Sequence, residues 1–329
     1  MRAKLRKILV TGGAGFIGSV FARRAVENGY RVIIVDKLTY AGDLKRLEGV
    51  SRKSKLYRTD ICDKKKIADI FSRERPDALI NFAAETHVDR SIRDPDAFIE
   101  TNISGTKSLL DSVMKYGTKK FIHISSDEVY GDSGKEEFSE DSALRPSSPY
   151  SATKAAADLL LNSCLRTYSC PSIIVRPSNN YGPWQYPEKL IPLAVLKILR
   201  NETVPVYGNG RNIRTWLYVD DCVEGILQIL EKGRIGEVYN LGSNEELQNL
   251  DVVKFILKIL GASTNRIEFV KDRPGHDLRY RLNSQKMFKE TGWKQKTKFQ
   301  HGIRLTVQWC LTHRLWLLSK WKDIEKLYQ

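Results

Sequence analysis

The chain has 329 residues, 41% of them hydrophobic and 28% charged, which excludes a disordered or fibrous polypeptide and gives one large domain or two intimate ones. Its five cysteines (Cys62, Cys164, Cys170, Cys222, Cys310) and five histidines show no C-x-x-C or metal-ligand spacing, so neither a disulfide framework nor a metal site is expected. The formal charge of +15 admits an anionic partner, but the basic residues are spread out, with small clusters at 2–7, 52–55 and 64–66 and no basic-aromatic module. A solvated basic surface, with some arginines aimed at a diphosphate and no nucleic-acid partner, is the preferred reading.

The start, Met1-Arg2-Ala3-Lys4, leads into only Ile8-Leu9-Val10 before glycines, too little for a signal peptide. Residues 7–10 read as a strand. Thr11-Gly12-Gly13-Ala14-Gly15-Phe16-Ile17-Gly18 follows, then a helical pattern that stops at Asn28-Gly29. A second strand over 31–35 ends in Asp36. Strand, glycine turn, helix, strand and acid in that order make a dinucleotide site. Gly12, Gly15 and Gly18 let the backbone approach a pyrophosphate, and the helix N-terminus attracts its charge. Asp36 can accept both adenosine ribose hydroxyls and repels a 2′-phosphate, so NAD is favoured over NADP; Lys37 is the one dissenting neighbour.

The alternation continues. Residues 55–59 read as a strand ending at Asp60-Ile61, beside which an adenine could lie. A helix is predicted over 64–73 and a strand over 77–81, followed by the small residues Ala83-Ala84 that let a cofactor pass close. Residues 97–116 read as one long helix. The strand over 119–124 runs into Ser125-Ser126-Asp127-Glu128-Val129-Tyr130-Gly131, and two adjacent acids at the end of a buried strand are costly unless they do chemistry. The helix over 149–168 carries Tyr150 and Lys154 on one face. A lysine beside a phenol lowers its pKa and makes it a usable base. Ser126, Asp127, Glu128, Tyr150 and Lys154 are therefore expected to form one active site. The run Ala155-Ala156-Ala157 suggests close packing, in one reading against a partner subunit. A strand over 172–175 ends in Arg176-Pro177-Ser178-Asn179-Asn180-Tyr181-Gly182-Pro183.

This pattern predicts an α/β chain with a doubly wound parallel sheet and ligands beyond the strand C-termini. After Gly182 helical pieces (190–200, 220–232, 250–260) mix with short strands and turns, as in a smaller mixed α/β substrate-binding lobe. The expected division is 1–180 for dinucleotide binding, completed by parts of 212–240, and 181–329 mainly for substrate. His276, inside Asp272-Arg273-Pro274-Gly275-His276-Asp277, reads as a loop histidine, usually solvated, with some chance of facing substrate. The stretch 309–321 is apolar but broken by His313, Arg314 and Lys320, too short and charged to span a bilayer. A cytoplasmic place with no membrane partner is expected.

With the glycine turn, Tyr150 and Lys154 in place, the chain resembles the extended short-chain dehydrogenase/reductases that act on nucleotide sugars, a Rossmann-fold family, and within it the dTDP-glucose 4,6-dehydratase branch. The resembling segments include residues 36–42, 83–91, 125–131, 178–190, 207–210, 214–219 and 272–280. Asp127-Glu128 is the specific mark, because sister epimerases, decarboxylases and reductases share the glycines, Tyr and Lys but generally lack adjacent acids there. The resemblance implies that Phe16, Ile17, Asp36, Lys37, Leu38, Thr39, Asp60, Ile61, Ala83, Ala84, Thr101, Tyr150, Lys154 and Asn180 touch NAD. It implies that Thr86, Ser126, Asn179, Lys189, Leu190, Pro205, Val206, Tyr207, Arg214, Asn249, Asp272, Arg273 and His276 line a dTDP- or UDP-hexose, and that the protein is a homodimer. Ser126 stands where the family usually has Thr, and Thr86 where it usually has Ser; both keep a hydroxyl. The implied reaction is dehydration to the 4-keto-6-deoxy sugar, with Tyr150 the first base, Glu128 the base at C5 and Asp127 the acid at the C6 hydroxyl. The other readings are a UDP-glucose 4,6-dehydratase, a sugar-nucleotide 4-epimerase, which would need no acid pair, and a non-enzymatic NAD- or RNA-binding protein, which would have lost Tyr150, Lys154 or the acids.

Overall fold

The computed structural model describes residues 5–50 and 54–328, with side chains through Glu325. The start 1–4 and parts of the basic clusters at 2–7 and 52–55 lie outside the described residues.

A seven-stranded sheet holds the molecule together, in the order β10-β6-β5-β4-β1-β2-β3 and parallel throughout. Its strands are β1 (Lys7–Thr11), β2 (Arg31–Asp36), β3 (Ser54–Arg58), β4 (Ala78–Asn81), β5 (Lys120–Ile124), β6 (Ser172–Pro177) and β10 (Val238–Leu241). Strands buried on both faces need apolar residues at every position, and successive side chains leave on opposite sides. Ile8 and Val10 accordingly join Phe21 of α1 (Phe16–Glu27) and Ile226 and Leu230 of α8 (Val219–Lys232) in one core. Leu9 joins Phe71 of α2 (Lys64–Glu74), Leu109 of α5 (Thr106–Tyr116) and Leu161 of α6 (Pro149–Tyr168) in another. The chain steps outward from β1 to β3, then returns to place β4 on the other side of β1. That reversal opens a crevice at the C-terminal strand ends, where doubly wound sheets bind their ligands.

Between β4 and α5 run α3 (Val88–Arg93) and α4 (Asp96–Phe98). The helix expected over 97–116 is not uniform: a π-helical stretch, Ile99–Gly105, separates α4 from α5. The widened turn holds the Asn102 amide against the chain beside the crevice. Its Oδ1 accepts from the Glu85 N–H (2.9 Å), and its Nδ2 donates to the Glu85 carbonyl (3.1 Å) and to Thr153 Oγ1 (2.9 Å).

The second lobe contains the three-stranded sheet of β7 (Asn179–Tyr181), β9 (Ile213–Tyr218) and β11 (Glu246–Gln248), and the pair β8 (Val204–Tyr207) and β12 (Ile267–Val270). Helices α7 (Leu190–Leu199), α9 (Asn249–Leu260), α11 (Phe299–Thr312), α12 (Arg314–Ser319) and α13 (Trp321–Tyr328) contribute to its separate core, which includes Ile191, Leu196, Val253, Phe299, Trp316 and Ile324. α10 (Gln285–Thr291) packs beside β10 and α8 on the large sheet. Among the described residues no helix is long and apolar enough to cross a membrane.

Candidate active site

One cavity of about 320 Å³ runs from the glycine turn to the end of β5 and the start of α6. At its first end, Gly12 has φ +65°, and a Cβ there would lie 2.6 Å from the Ala83 nitrogen; a Cβ on Gly18 would run into the Gly12 carbonyl. Only glycine permits this approach of two strand ends and a helix start. Asp36 is held in place by two N–H groups, from Ala14 to Oδ2 and from Leu38 to Oδ1, both at 2.8 Å. Burial pushes its carboxyl up, and those two N–H groups oppose the shift. Lys37 does not offer its charge to a 2′-phosphate: its Nζ lies 2.5 Å from Asp60 Oδ2. A dinucleotide whose pyrophosphate meets the glycine turn and whose ribose meets Asp36 fits this end of the cavity. Gly12, Gly15, Phe16, Ile17, Gly18, Asp36, Lys37, Thr39, Asp60, Ile61, Ala83, Ala84, Thr101 and Asn180 all line the cavity. Leu38 stays outside the lining and contributes its N–H to Asp36.

At the other end, β5 stops and Ser126 caps a single 3₁₀ turn, Asp127–Tyr130, accepting the Glu128 N–H at 3.2 Å. The turn carries Asp127 inward, 2% exposed, and leaves Glu128 half-buried in the lining. Burial, reinforced by the Glu128 carboxylate, pushes Asp127 up to about 7, with Arg214 opposing. Its Oδ1 accepts from Ser126 Oγ at 3.3 Å, and its buried Oδ2 has no protein partner.

α6 opens with Pro149 and a reciprocal cap between Ser148 and Ser151, which fixes Tyr150 in the first turn of the helix. Lys154, one turn on, donates from Nζ to the Ile124 carbonyl at 2.6 Å, and burial lowers it to about 8. The expectation that Lys154 lowers the phenol is not met in this geometry. Burial and then the Glu128 carboxylate raise Tyr150, with the Ser126 hydroxyl opposing, while the ammonium is turned to the end of β5. Behind Lys154, Asp158 pairs with Arg176 Nε (2.9 Å); Arg176 Nη1 donates to the Tyr130 hydroxyl (2.7 Å), which donates to Asn240 Oδ1 (2.8 Å).

The predicted substrate residues fall into two groups. Thr86, Ser126, Asn179 and Lys189 line the cavity, and Lys189 Nζ donates to the Thr86 carbonyl at 2.9 Å. Leu190, Pro205, Val206, Tyr207, Arg214, Asn249, Asp272, Arg273 and His276 lie outside its lining. Two of these meet Asp89: the Tyr207 hydroxyl donates to Asp89 Oδ2 (2.9 Å), and Arg273 Nη1 lies 3.8 Å from Oδ1. His276 is not the solvated loop residue expected. Its side chain is 5% exposed, with Nδ1 2.6 Å from Asp272 Oδ1. Arg214 donates to the Asp277 carbonyl (3.0 Å), and its guanidinium lies 4.2 Å from the Tyr280 ring centroid. Val206 belongs to the second core, and Asn249 begins α9. Ala155 and Ala157 are buried inside the subunit, so the alanine run packs mainly within its own fold.

Sequence reasoning missed Arg46, Gln185, Tyr186 and Glu188, all in the cavity lining. No local pattern marks them. Arg46, 1% exposed, reaches the Trp184 carbonyl (2.8 Å) across 138 positions of sequence. Gln185, Tyr186 and Glu188 fall within the resembling segment 178–190, of which only Asn179, Asn180, Lys189 and Leu190 are expected at the site.

Carboxylate-marked glycine turn, doubly wound sheet and Tyr–Lys pair together define an extended short-chain dehydrogenase/reductase. The model of the GDP-mannose 4,6 dehydratase family matches residues 9–306. The dTDP-glucose 4,6-dehydratase of Escherichia coli is 45% identical over 94% of this chain and 95% of its own length. A probable dTDP-glucose 4,6-dehydratase of Sinorhizobium fredii is 46% identical over 98% and 97%. Among solved structures, the dTDP-glucose 4,6-dehydratase DesIV of Streptomyces venezuelae, with NAD and TYD bound, superposes with a TM-score of 0.93 at 42% identity, covering 95% of this chain and 99% of that one. A UDP-glucose 4-epimerase of Thermotoga maritima reaches 0.87 at 34% identity, covering 93% and 99%. The chain belongs to the nucleotide-sugar 4,6-dehydratase family.

Proposed function

We propose that the protein is a hydro-lyase that converts dTDP-glucose to the 4-keto-6-deoxy sugar nucleotide, with NAD bound throughout and regenerated. The observation that carries this reading is the buried Asp127 beside Glu128 at the end of β5, in one cavity with Tyr150 and Lys154. NAD along the glycine turn supplies the hydride acceptor at C4 and the hydride donor at C6. Tyr150 takes the proton of the C4 hydroxyl, which Ser126 orients. Lys154 would favour the phenolate once its ammonium turns from the Ile124 carbonyl, where it rests in this structure, towards Tyr150. Once C4 is a ketone, the C5 proton is acidic and Glu128 removes it. Asp127, pushed up to about 7, still holds a proton near neutrality and gives it to the C6 hydroxyl as water leaves. Glu128 then returns a proton to C5. An epimerase would need no such acid, which disfavours that reading. The dTDP nucleotide is preferred to UDP because the curated relatives near 45% identity carry dTDP-glucose in their names, whereas the UDP-glucose epimerase stands at 34%.

The reading includes a cytoplasmic place, no nucleic-acid partner and a homodimer. Ile99, Met114 and Leu159 expose 47%, 40% and 59% of their surface on the 96–116 rod and α6, apolar side chains that a second copy would cover. The test is a panel of dTDP-, UDP- and GDP-hexoses read by the alkali-induced absorbance of a 4-keto product. dTDP-glucose should give the highest kcat/KM. A C4-epimerised sugar without keto product, or no turnover of any member, would sink the proposal.

A further inference from the structure

The segment between β2 and the 3₁₀ turn Leu44–Leu47 walls the cofactor end of the cavity, with Lys37, Thr39, Ala41 and Gly42 in the lining. It is tied down from both sides. On the inner side, the Asp43 N–H donates to the Ala14 carbonyl of the glycine turn (3.0 Å). Arg46 donates to the same carbonyl (3.0 Å), to the Ala41 carbonyl and to the Trp184 carbonyl. On the outer side, the Asp43 carboxylate accepts from the indole N–H of Trp316, within α12 (2.7 Å), and lies 2.9 Å from Nζ of Lys320, the C-cap of α12. Its other oxygen accepts the Lys45 N–H at 3.0 Å. Burial raises the Asp43 carboxyl, but the Lys320 and Trp316 hydrogen bonds outweigh it and hold the group at about 2. Trp316 and Leu317 are themselves buried in the second core, against which Tyr40 and Ala41 of the loop also pack.

We propose that Asp43 is a positioning residue that clamps the cofactor loop shut, with Trp316 and Lys320 as its anchors, and that this clamp retains NAD between turnovers. The inference rests on the NAD-dependent reading above. A cofactor reduced and reoxidised within each cycle must not leave. Asp43 does not line the cavity, so it acts through the wall it holds. For NAD to depart past that wall, residues 37–42 must move away from the glycine turn. That motion pulls Asp43 between the Ala14 carbonyl and α12, and breaks charge-assisted hydrogen bonds that are stronger than neutral ones.

The test measures release of NAD from the full-length holoenzyme. An alcohol dehydrogenase with excess ethanol traps the free cofactor, and NADH fluorescence reports it. Asp43→Asn keeps an acceptor for the Lys45 N–H but loses the ion pair, and should release NAD roughly 10- to 100-fold faster, the worth of a hydrogen bond to a charged group. Trp316→Phe keeps the ring, removes the donor and should release NAD faster by a smaller factor. The double variant should be little faster than Asp43→Asn alone, because both act through one carboxylate. Unchanged release from Asp43→Asn with an unchanged melting profile overturns the clamp. If Asp43→Asn does not fold, unchanged release from both Trp316→Phe and Lys320→Met overturns it. A parent enzyme that makes 4-keto product while release ignores these variants loses only the clamp. A parent that makes none while release responds loses only the proposed reaction.

Discussion

Asp127 and Glu128 are adjacent in sequence and unlike in surroundings. The 3₁₀ turn sends Asp127 into the fold and leaves Glu128 half-buried at the cavity wall. A proton donor and a proton acceptor are thereby available together at neutral pH. Asp127→Asn and Glu128→Gln should each depress turnover by roughly 10²–10⁴, the worth of a positioned acid or base. Fluoride leaves without a proton, so a 6-fluoro substrate should restore much of the Asp127→Asn loss and little of the Glu128→Gln loss. Equal rescue of both would show that the roles are misassigned. Asp127 also makes a prediction about stability. Its folded pKa of about 7 lies above the ordinary 3.8, so the unfolded chain releases this proton more readily. The protonated group's contribution is complete below the ordinary value and is lost as pH rises towards 7. Asp127→Asn should therefore raise Tm more at about pH 8 than at about pH 4; an equal shift at both would contradict the environment described.

At the scale of elements, α6 matters because it holds Tyr150 and Lys154 against the end of β5. It is pinned to β6 by Asp158 and Arg176, whose side chains are 0% and 3% exposed. Arg176→Met leaves the Asp158 charge buried and unpaired, and should cost about 3–5 kcal/mol in urea unfolding. Asp158→Leu in the same chain should recover much of that loss; no recovery would mean that Arg176 acts through its other contacts. The strands and helices of the large sheet were legible because buried parallel strands and amphipathic helices have different periods. The π-helical stretch Ile99–Gly105 was not, since its cause is the tertiary demand on Asn102 and not a local propensity. The direction of Lys154 was hidden for a related reason: i,i+4 spacing places it near Tyr150 but does not say that the Ile124 carbonyl accepts its N–H.

Over the whole molecule, the glycine turn, Asp36 and the Tyr–Lys pair could be named in advance because each is a short motif in a regular element. Arg46, Glu188 and the partners of Asp89 could not, because each is defined by contacts between lobes: Tyr207 reaches Asp89 over 118 positions. The exposed apolar side chains of Ile99, Met114 and Leu159 make a prediction at the same scale. Leu159→Lys should shift the protein from dimer towards monomer in sedimentation at micromolar concentration without changing the melting of the subunit core. A parent protein that sediments as a monomer would count against the dimer.

The contact between Asp43 and Trp316 spans 273 positions. At translation rates of ~5–20 residues per second, the indole emerges roughly 15–55 s after the carboxylate that it meets. The glycine turn and its sheet neighbours β2 and β3 are made well before the outer anchor of the loop that walls them. The rest of the cavity lining, from Phe82 to Lys189, is made during that interval, so the cleft is assembled before its fastening. On the clamp proposed above, firm retention of the cofactor would begin when α12 docks, long after the glycine turn has been made.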